Sequence, residues 1–302
     1  MNYKNFRFNA VIDWIELEIE TVNPTNFQTI KRHIIQPGKK PYVKAIDQAA
    51  GGAASQFRFK IQDPKNWQHV AAILNGINDD TPLVAEATIV KSIEVSFDAY
   101  SNTANRDELV RLTELFYRYL TNPVSLKRRF SGRKGFKKDV EAIDSTFVLR
   151  RLLDKGRNIC IGNNEDDSTG FKKYKTDDEY MQIYCKTTDN NGIPISSSDY
   201  RARIEIRLKG GALPCTNLNS WREYKFESLS RYFNFRTMNN RVLALAPKEF
   251  LKAFDSITQL SSIGGYKRRK HPLITSPDIE LNNHVYEALR CLSDRMLSKR
   301  GI

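Results

Sequence analysis

Apolar and polar residues alternate over VIDWIELEIE (11–20). Val11, Ile15, Leu17 and Ile19 fall on one face together with Asp13, while Trp14, Glu16, Glu18 and Glu20 fall on the other. A period of two is that of a half-buried β-strand, and Asp13 is then an acid on the apolar face. A short helix follows and ends at Pro37 and Gly38. SQFRFKIQ (55–62) is a second strand, with Phe57, Phe59 and Ile61 turned inward. Asp63 and Pro64 read as the N-cap and first residue of the next helix. Residues 83–98 give one or two strands, and 103–123 give the clearest amphipathic helix, stopped before Pro123.

VSLKRRFSGRKGFKKD (124–139) breaks this rhythm and reads as a flexible basic arm or a long hairpin. A helix over 144–156 closes on a glycine. Strands are predicted at 158–162, 171–176, 179–188 and 199–210, with the DNNG turn (189–192) suited to a hairpin between the last two. Beyond Gly211, WREYKFESLSRYF, APKEFLKAFDSITQL and LNNHVYEALRCLSDRML read as helices, interrupted by the basic loop YKRRKHP (266–272). The order predicts an α+β fold, with a mostly antiparallel central sheet covered by helices on one face. The second half repeats the theme of the first, a candidate internal duplication. Residues 1–215 are expected to form the core that carries the arm 124–139, with 216–302 a helical C-terminal region packed on it.

At 302 residues and 40% hydrophobic, the chain can bury a sizeable core. The formal net charge of +13 favours a polyanionic partner. No run approaches the roughly 18–20 apolar residues of a membrane helix, and no basic amphipathic helix carries large apolar anchors; a membrane is not an expected partner. The N-terminus enters a strand pattern without an apolar leader segment, which reads as a cytoplasmic protein. Cys160, Cys185, Cys215 and Cys291 form no CxxC and read as buried, reduced thiols. His33, His69, His271 and His284 form neither HxH nor HExxH, and GxxxxGK[ST] and GxSxG are absent. The histidine pattern argues against a zinc hydrolase and against the histidine-pair type of nicking enzyme, and the missing GxxxxGK[ST] argues against a P-loop ATPase.

Three strands carry chemistry. In SIEVSFD, Glu94, Ser96 and Asp98 share one face. In EYMQIYCK, Gln182, Tyr184 and Lys186 do, and in YRARIEIRLK, Arg203, Glu205 and Arg207 do. Carboxylates can hold a hard divalent ion through oxygen, the ion can polarise a phosphate, and a tyrosine oxygen can attack the phosphorus. Cations can stabilise the charge that develops. The competing explanation is a solvated sheet face on which Glu and Arg form ordinary cross-strand pairs.

IYCKTTDNNG followed by YRARIEIRLKG resembles a motif pair of the replication initiation factors of plasmids and phages, the Rep_trans type. ICIGN (159–163), SIEVSFDAYS and DWIELEIE are similar to the family's upstream strands, in the same order, over about residues 11–210. The resemblance implies a rolling-circle initiator or relaxase that nicks one DNA strand through a tyrosine, with a divalent metal, Mg or Mn, held by acids. It implies Tyr184 as the nucleophile, Glu205, Glu94, Asp98 and Asp13 as metal ligands, and Lys186 and Arg203 as phosphate contacts. Cys185 and Glu94 both stand where the family usually has aspartate.

DNA, as an origin, a hairpin or a single strand, is the expected partner. Lys127, Arg128, Arg129, Arg133, Lys134, Lys137 and Lys138 of the arm would bind its backbone, as would Lys267, Arg268, Arg269 and Lys270 of the later loop. A host helicase would be needed because the chain has no ATP motif, and a homodimer is compatible with this reading. Two alternatives stay open: a DNA-binding protein on the same fold that does not cut, and an RNA-binding or structural basic protein.

Overall fold

The computed structural model describes residues 1–48, 52–121, 128–131, 141–142, 146–162, 178–189, 192–238 and 275–298. The fold is α+β. Nine strands form one sheet in the order β2-β3-β1-β4-β9-β8-β7-β5-β6. They are β1 (Phe6–Asn26), β2 (Val43–Ala45), β3 (Ala53–Gln62), β4 (Ile89–Ser101), β5 (Arg128–Ser131), β6 (Glu141–Ala142), β7 (Ile159–Gly162), β8 (Glu179–Lys186) and β9 (Arg201–Lys209). The helices are α1 (Phe27–His33), α2 (Trp67–Asp80), α3 (Arg106–Tyr119), α4 (Thr146–Asp154), α5 (Leu218–Arg222) and the C-terminal α6 (Ile279–Leu297). A separate pair, β10 (Arg236–Met238) and β11 (Thr275–Pro277), is antiparallel. Among the described residues, no helix is long and apolar enough to cross a membrane.

Two compact units make up the chain. The first comprises Met1–Ala10, Ser96–Ile206 and Glu227–Leu289; the second comprises Val11–Val95, Arg207–Phe226 and Arg290–Ile302. β1, β4 and β9 contribute residues to both.

In the second unit, β1 and β3 pair antiparallel with Ile15 opposite Ile61, Leu17 opposite Phe59 and Ile19 opposite Phe57. All six side chains are buried, so the alternation read from the sequence sets which face turns inward. α2 buries Trp67, Val70, Leu74 and Ile77. Its N-cap is Asn66, whose side chain accepts from the His69 N–H, rather than Asp63. Asp63 has φ of +43°, and its N–H donates to the Asp13 carbonyl at 2.8 Å; that conformation bends the chain away from β3 before the helix can start.

In the first unit, α3 is capped by Asn105, which accepts from the N–H groups of Asp107 and Glu108. It buries Phe116 against Phe97 of β4, at 5.9 Å between ring centroids. Phe233 and Phe235 complete this aromatic core.

Residues 83–98 yield one strand, β4, within the one or two expected, and it extends to Ser101. Two elements differ from the sequence expectation. WREYKFESLSRYF is not one helix: α5 ends at Arg222, and a 3₁₀ segment follows over Phe226–Tyr232. The Phe226 N–H donates to the Ser293 hydroxyl at 2.8 Å, so the backbone ladder is interrupted where a side chain supplies the acceptor. The turn that begins at Asp189 sits in a longer connection between β8 and β9, with a further 3₁₀ turn at Ser197–Asp199. Part of the basic segment is sheet: β5 pairs antiparallel with both β6 and β7. The strand expected at 171–176, the helix APKEFLKAFDSITQL and the loop 266–272 lie outside the described residues.

Candidate active site

Residues 94 to 98 of β4 are buried on both faces. Ile93, Val95 and Phe97 have no exposed surface, and on the other side Glu94, Ser96 and Asp98 are buried too. Burying a carboxylate is costly without a charged partner, and β9 supplies one to each. Arg207 donates to Glu94 Oε2 from Nε at 3.0 Å and from Nη2 at 2.7 Å. Arg203 donates to both oxygens of Asp98 at 2.6 Å. As β4 advances from 94 to 98, its partners on β9 recede from 207 to 203, the signature of an antiparallel pair.

Glu205 stands between the two arginines in sequence and on the same face. It accepts a short hydrogen bond from the Tyr184 hydroxyl. Arg203 Nη1 lies 3.4 Å from the same carboxylate oxygen. β8 and β9 are sheet neighbours, so strand alternation presents Tyr184 and Glu205 to each other.

Asp13 joins these acids for a reason the simple alternation misses. Buried positions in β1 fall at Ala10 and Ile12, then at Ile15, Leu17 and Ile19. The phase slips by one residue between Ile12 and Ile15. Asp13 and Trp14 therefore both reach the polar side, where Trp14 Nε1 donates to Glu94 Oε1 at 2.7 Å. Asp13, Glu94 and Glu205 each bring a carboxylate oxygen to within 4.8 Å of the others. The side chains of Glu94 and Glu205 are only 10% and 12% exposed.

One hard divalent cation holds its oxygen ligands at roughly 2.0–2.6 Å, so oxygens on one ion stand up to about 4–5 Å apart. Three carboxylates at this separation, two of them largely shielded, fit such an ion in number, spacing and donor chemistry. Asp98 is outside this group and is engaged by Arg203.

Further groups shape the face. The Lys60 ammonium lies 3.3 Å from the centroid of the Trp14 ring, and Arg207 lies 5.1 Å from it, so two cations hold the indole that orients Glu94. Lys186 pairs with Asp189 at 3.3 Å. Tyr100 donates weakly to Asp98 at 3.4 Å; burial and the Asp98 charge raise its hydroxyl above the ordinary range against the pull of Arg201, Arg203 and Arg7. Cys185 is buried, and by alternation it faces away from Tyr184. Burial pushes its thiol up to about 11, opposed by the Arg106 charge. A residue at that position takes nothing away from the acids around Tyr184.

Of the residues expected to bind nucleic acid, Arg128 and Arg129 are in β5 opposite Gly162 and Ile161 of β7. Lys127, Arg133, Lys134, Lys137, Lys138, Lys267, Arg268, Arg269 and Lys270 lie outside the described residues. Trp14 and Lys60 were not singled out from the sequence; only the phase slip in β1, visible as an acid on an apolar face, pointed toward them.

No family model and no curated protein matches the sequence. Among solved structures, the rolling circle replication initiator protein from Geobacillus stearothermophilus is similar at 11% identity and a TM-score of 0.36, over 86% of this chain and 100% of that one. Aspartate kinase from Synechocystis aligns at 8% identity and a TM-score of 0.21, over 98% of this chain and 56% of that one. TM-scores this low do not establish a common fold.

Proposed function

We propose that this chain nicks one strand of DNA at a replication or transfer origin of a mobile element in a bacterial cytoplasm, through a phosphotyrosine at Tyr184. The observation that supports this most is the hydrogen bond from the Tyr184 hydroxyl to Glu205, an acid that also belongs to the Asp13–Glu94–Glu205 group.

Glu205 accepts the hydroxyl proton as the Tyr184 oxygen forms its bond to phosphorus. The bridging phosphorus–oxygen bond on the opposite side breaks, and its oxygen leaves with the electron pair and takes up a proton from water. One phosphodiester replaces another, so the step needs no nucleotide and no redox partner. Asp13, Glu94 and Glu205 would hold a divalent ion, Mg or Mn, which when bound would polarise the phosphate and offset the developing charge. Trp14 and Arg207 keep Glu94 turned toward its fellow acids. Arg203 keeps Glu205 in place from its own anchor on Asp98, and Lys186 is the phosphate contact on β8. Unwinding would fall to a host helicase.

A second reading is a DNA-binding protein that does not cut. It is favoured by the Glu94 carboxylate, both of whose oxygens already accept hydrogen bonds from Trp14 and Arg207. The two readings separate in one assay. The protein is incubated with Mn²⁺ or Mg²⁺ and end-labelled single-stranded or hairpin DNA from the flanks of its own coding sequence, then run on a denaturing gel. Label that travels with the protein only in the presence of metal, and not in Tyr184→Phe, is the expected result. Firm DNA binding with no adduct would establish the second reading instead.

A further inference from the structure

We propose that Arg7, Tyr100 and Arg201 form a phosphate site that holds the backbone of single-stranded DNA a few nucleotides from the bond attacked by Tyr184. The inference rests on the nicking reading for what happens at Tyr184; the site itself requires only a phosphodiester chain.

Two guanidinium groups flank one aromatic ring: the Arg7 and Arg201 carbons lie 5.0 and 5.6 Å from the Tyr100 centroid. Asp98 is the acid at hand, and Arg203 has already taken both of its oxygens at 2.6 Å. Arg201 Nε approaches Asp98 Oδ2 only to 3.4 Å. That nitrogen is buried and has no hydrogen-bond acceptor among the described residues. A buried donor without an acceptor is costly, and an arginine fork matches two oxygens of a phosphate. Arg201 Nη1 is fixed from the other side by the Asp199 carbonyl at 2.8 Å. Arg7 is exposed and makes no carboxylate hydrogen bond among the described residues, so a ligand can reach the pair from solvent.

The site is aligned with the tyrosine. Arg201, Arg203 and Glu205 are alternate residues of β9 and share its face, which sets Arg201 about 13 Å along the strand from Glu205. A nucleic-acid chain running along β9 would lay one phosphate at Tyr184 and a later one at Arg201. The Tyr100 ring is lined by cations rather than left open for a base, so the site reads the backbone and not the sequence.

The test is fluorescence anisotropy with a labelled single-stranded oligonucleotide, titrated across salt concentrations, on wild type, Arg7→Gln, Arg201→Gln and Arg201→Lys. Each phosphate contact on a single strand contributes about 0.7 to the slope of log affinity against log salt. Arg7→Gln and Arg201→Gln should each lower the slope by about that amount and weaken binding several-fold, whatever the oligonucleotide sequence. Arg201→Lys keeps the charge and should keep the wild-type slope; circular dichroism melts check that each variant is folded. Wild-type slopes in both glutamine variants would overturn the site. Adduct formation is scored in parallel: lowered slopes without an adduct would retain the site and reject nicking, and an adduct with unchanged slopes would do the reverse.

Discussion

Asp98 has no exposed side-chain surface, and Arg203 is 3% exposed. Their two hydrogen bonds at 2.6 Å make a bidentate pair sealed from solvent. Removing one partner strands a buried charge, which typically costs about 3–5 kcal/mol. Asp98→Ala is therefore expected to lower the unfolding free energy by that amount in urea titrations. A second residue-scale prediction concerns the thiols. Burial raises Cys160 and Cys185 from the ordinary 9.0 to about 11; the Tyr180 hydroxyl bond at Cys160 and the Arg106 charge at Cys185 pull the other way and lose. A raised value means the fold favours the neutral thiol. That stabilisation is complete below pH 9 and is lost as pH rises through about 11. Unfolding free energy should decline across this window, and Cys160→Ala with Cys185→Ala should flatten the decline.

At the scale of elements, the site depends on how β1, β4 and β9 present their polar faces. Parity alone placed Glu94 with Asp98, and Arg203 with Glu205 and Arg207, and the structure keeps both sets. Parity failed at Asp13, because β1 slips phase between Ile12 and Ile15 and one extra residue is absorbed there. Convergence of acids from three strands was also out of reach, since strand order depends on long-range pairing that no local pattern encodes. The 3₁₀ segment after α5 was missed for a related reason: the Ser293 hydroxyl that caps Phe226 is remote in sequence. The hydrogen bond from Trp14 to Glu94 has a measurable consequence. Titrating Mn²⁺ should change the tryptophan emission of the wild type, and Trp14→Phe should abolish the change although Trp67 and Trp221 remain. Asp13→Asn and Glu94→Gln should each weaken Mn²⁺ binding at least about tenfold, in line with the loss of a charged ligand. Unchanged affinity in both variants would remove the metal from the account.

For the molecule as a whole, a net charge of +13 favours a polyanionic partner but supplies no chemistry; the proposed chemistry rests on one tyrosine of the thirteen in the chain. The Tyr184 hydroxyl has as its acceptor a carboxylate of the three-acid group found among the described residues. The Tyr232 hydroxyl also donates to a carboxylate, Glu179, at 2.7 Å, but Glu179 lies outside that three-acid group. The most direct test is to digest the protein–DNA adduct with trypsin and nuclease and to locate the remaining nucleotide by mass spectrometry. The account predicts a nucleotide phosphate on the peptide that contains Tyr184, formed only when Mn²⁺ or Mg²⁺ is present. A nucleotide on any other tyrosine, or an adduct that forms equally well in chelator, would contradict it.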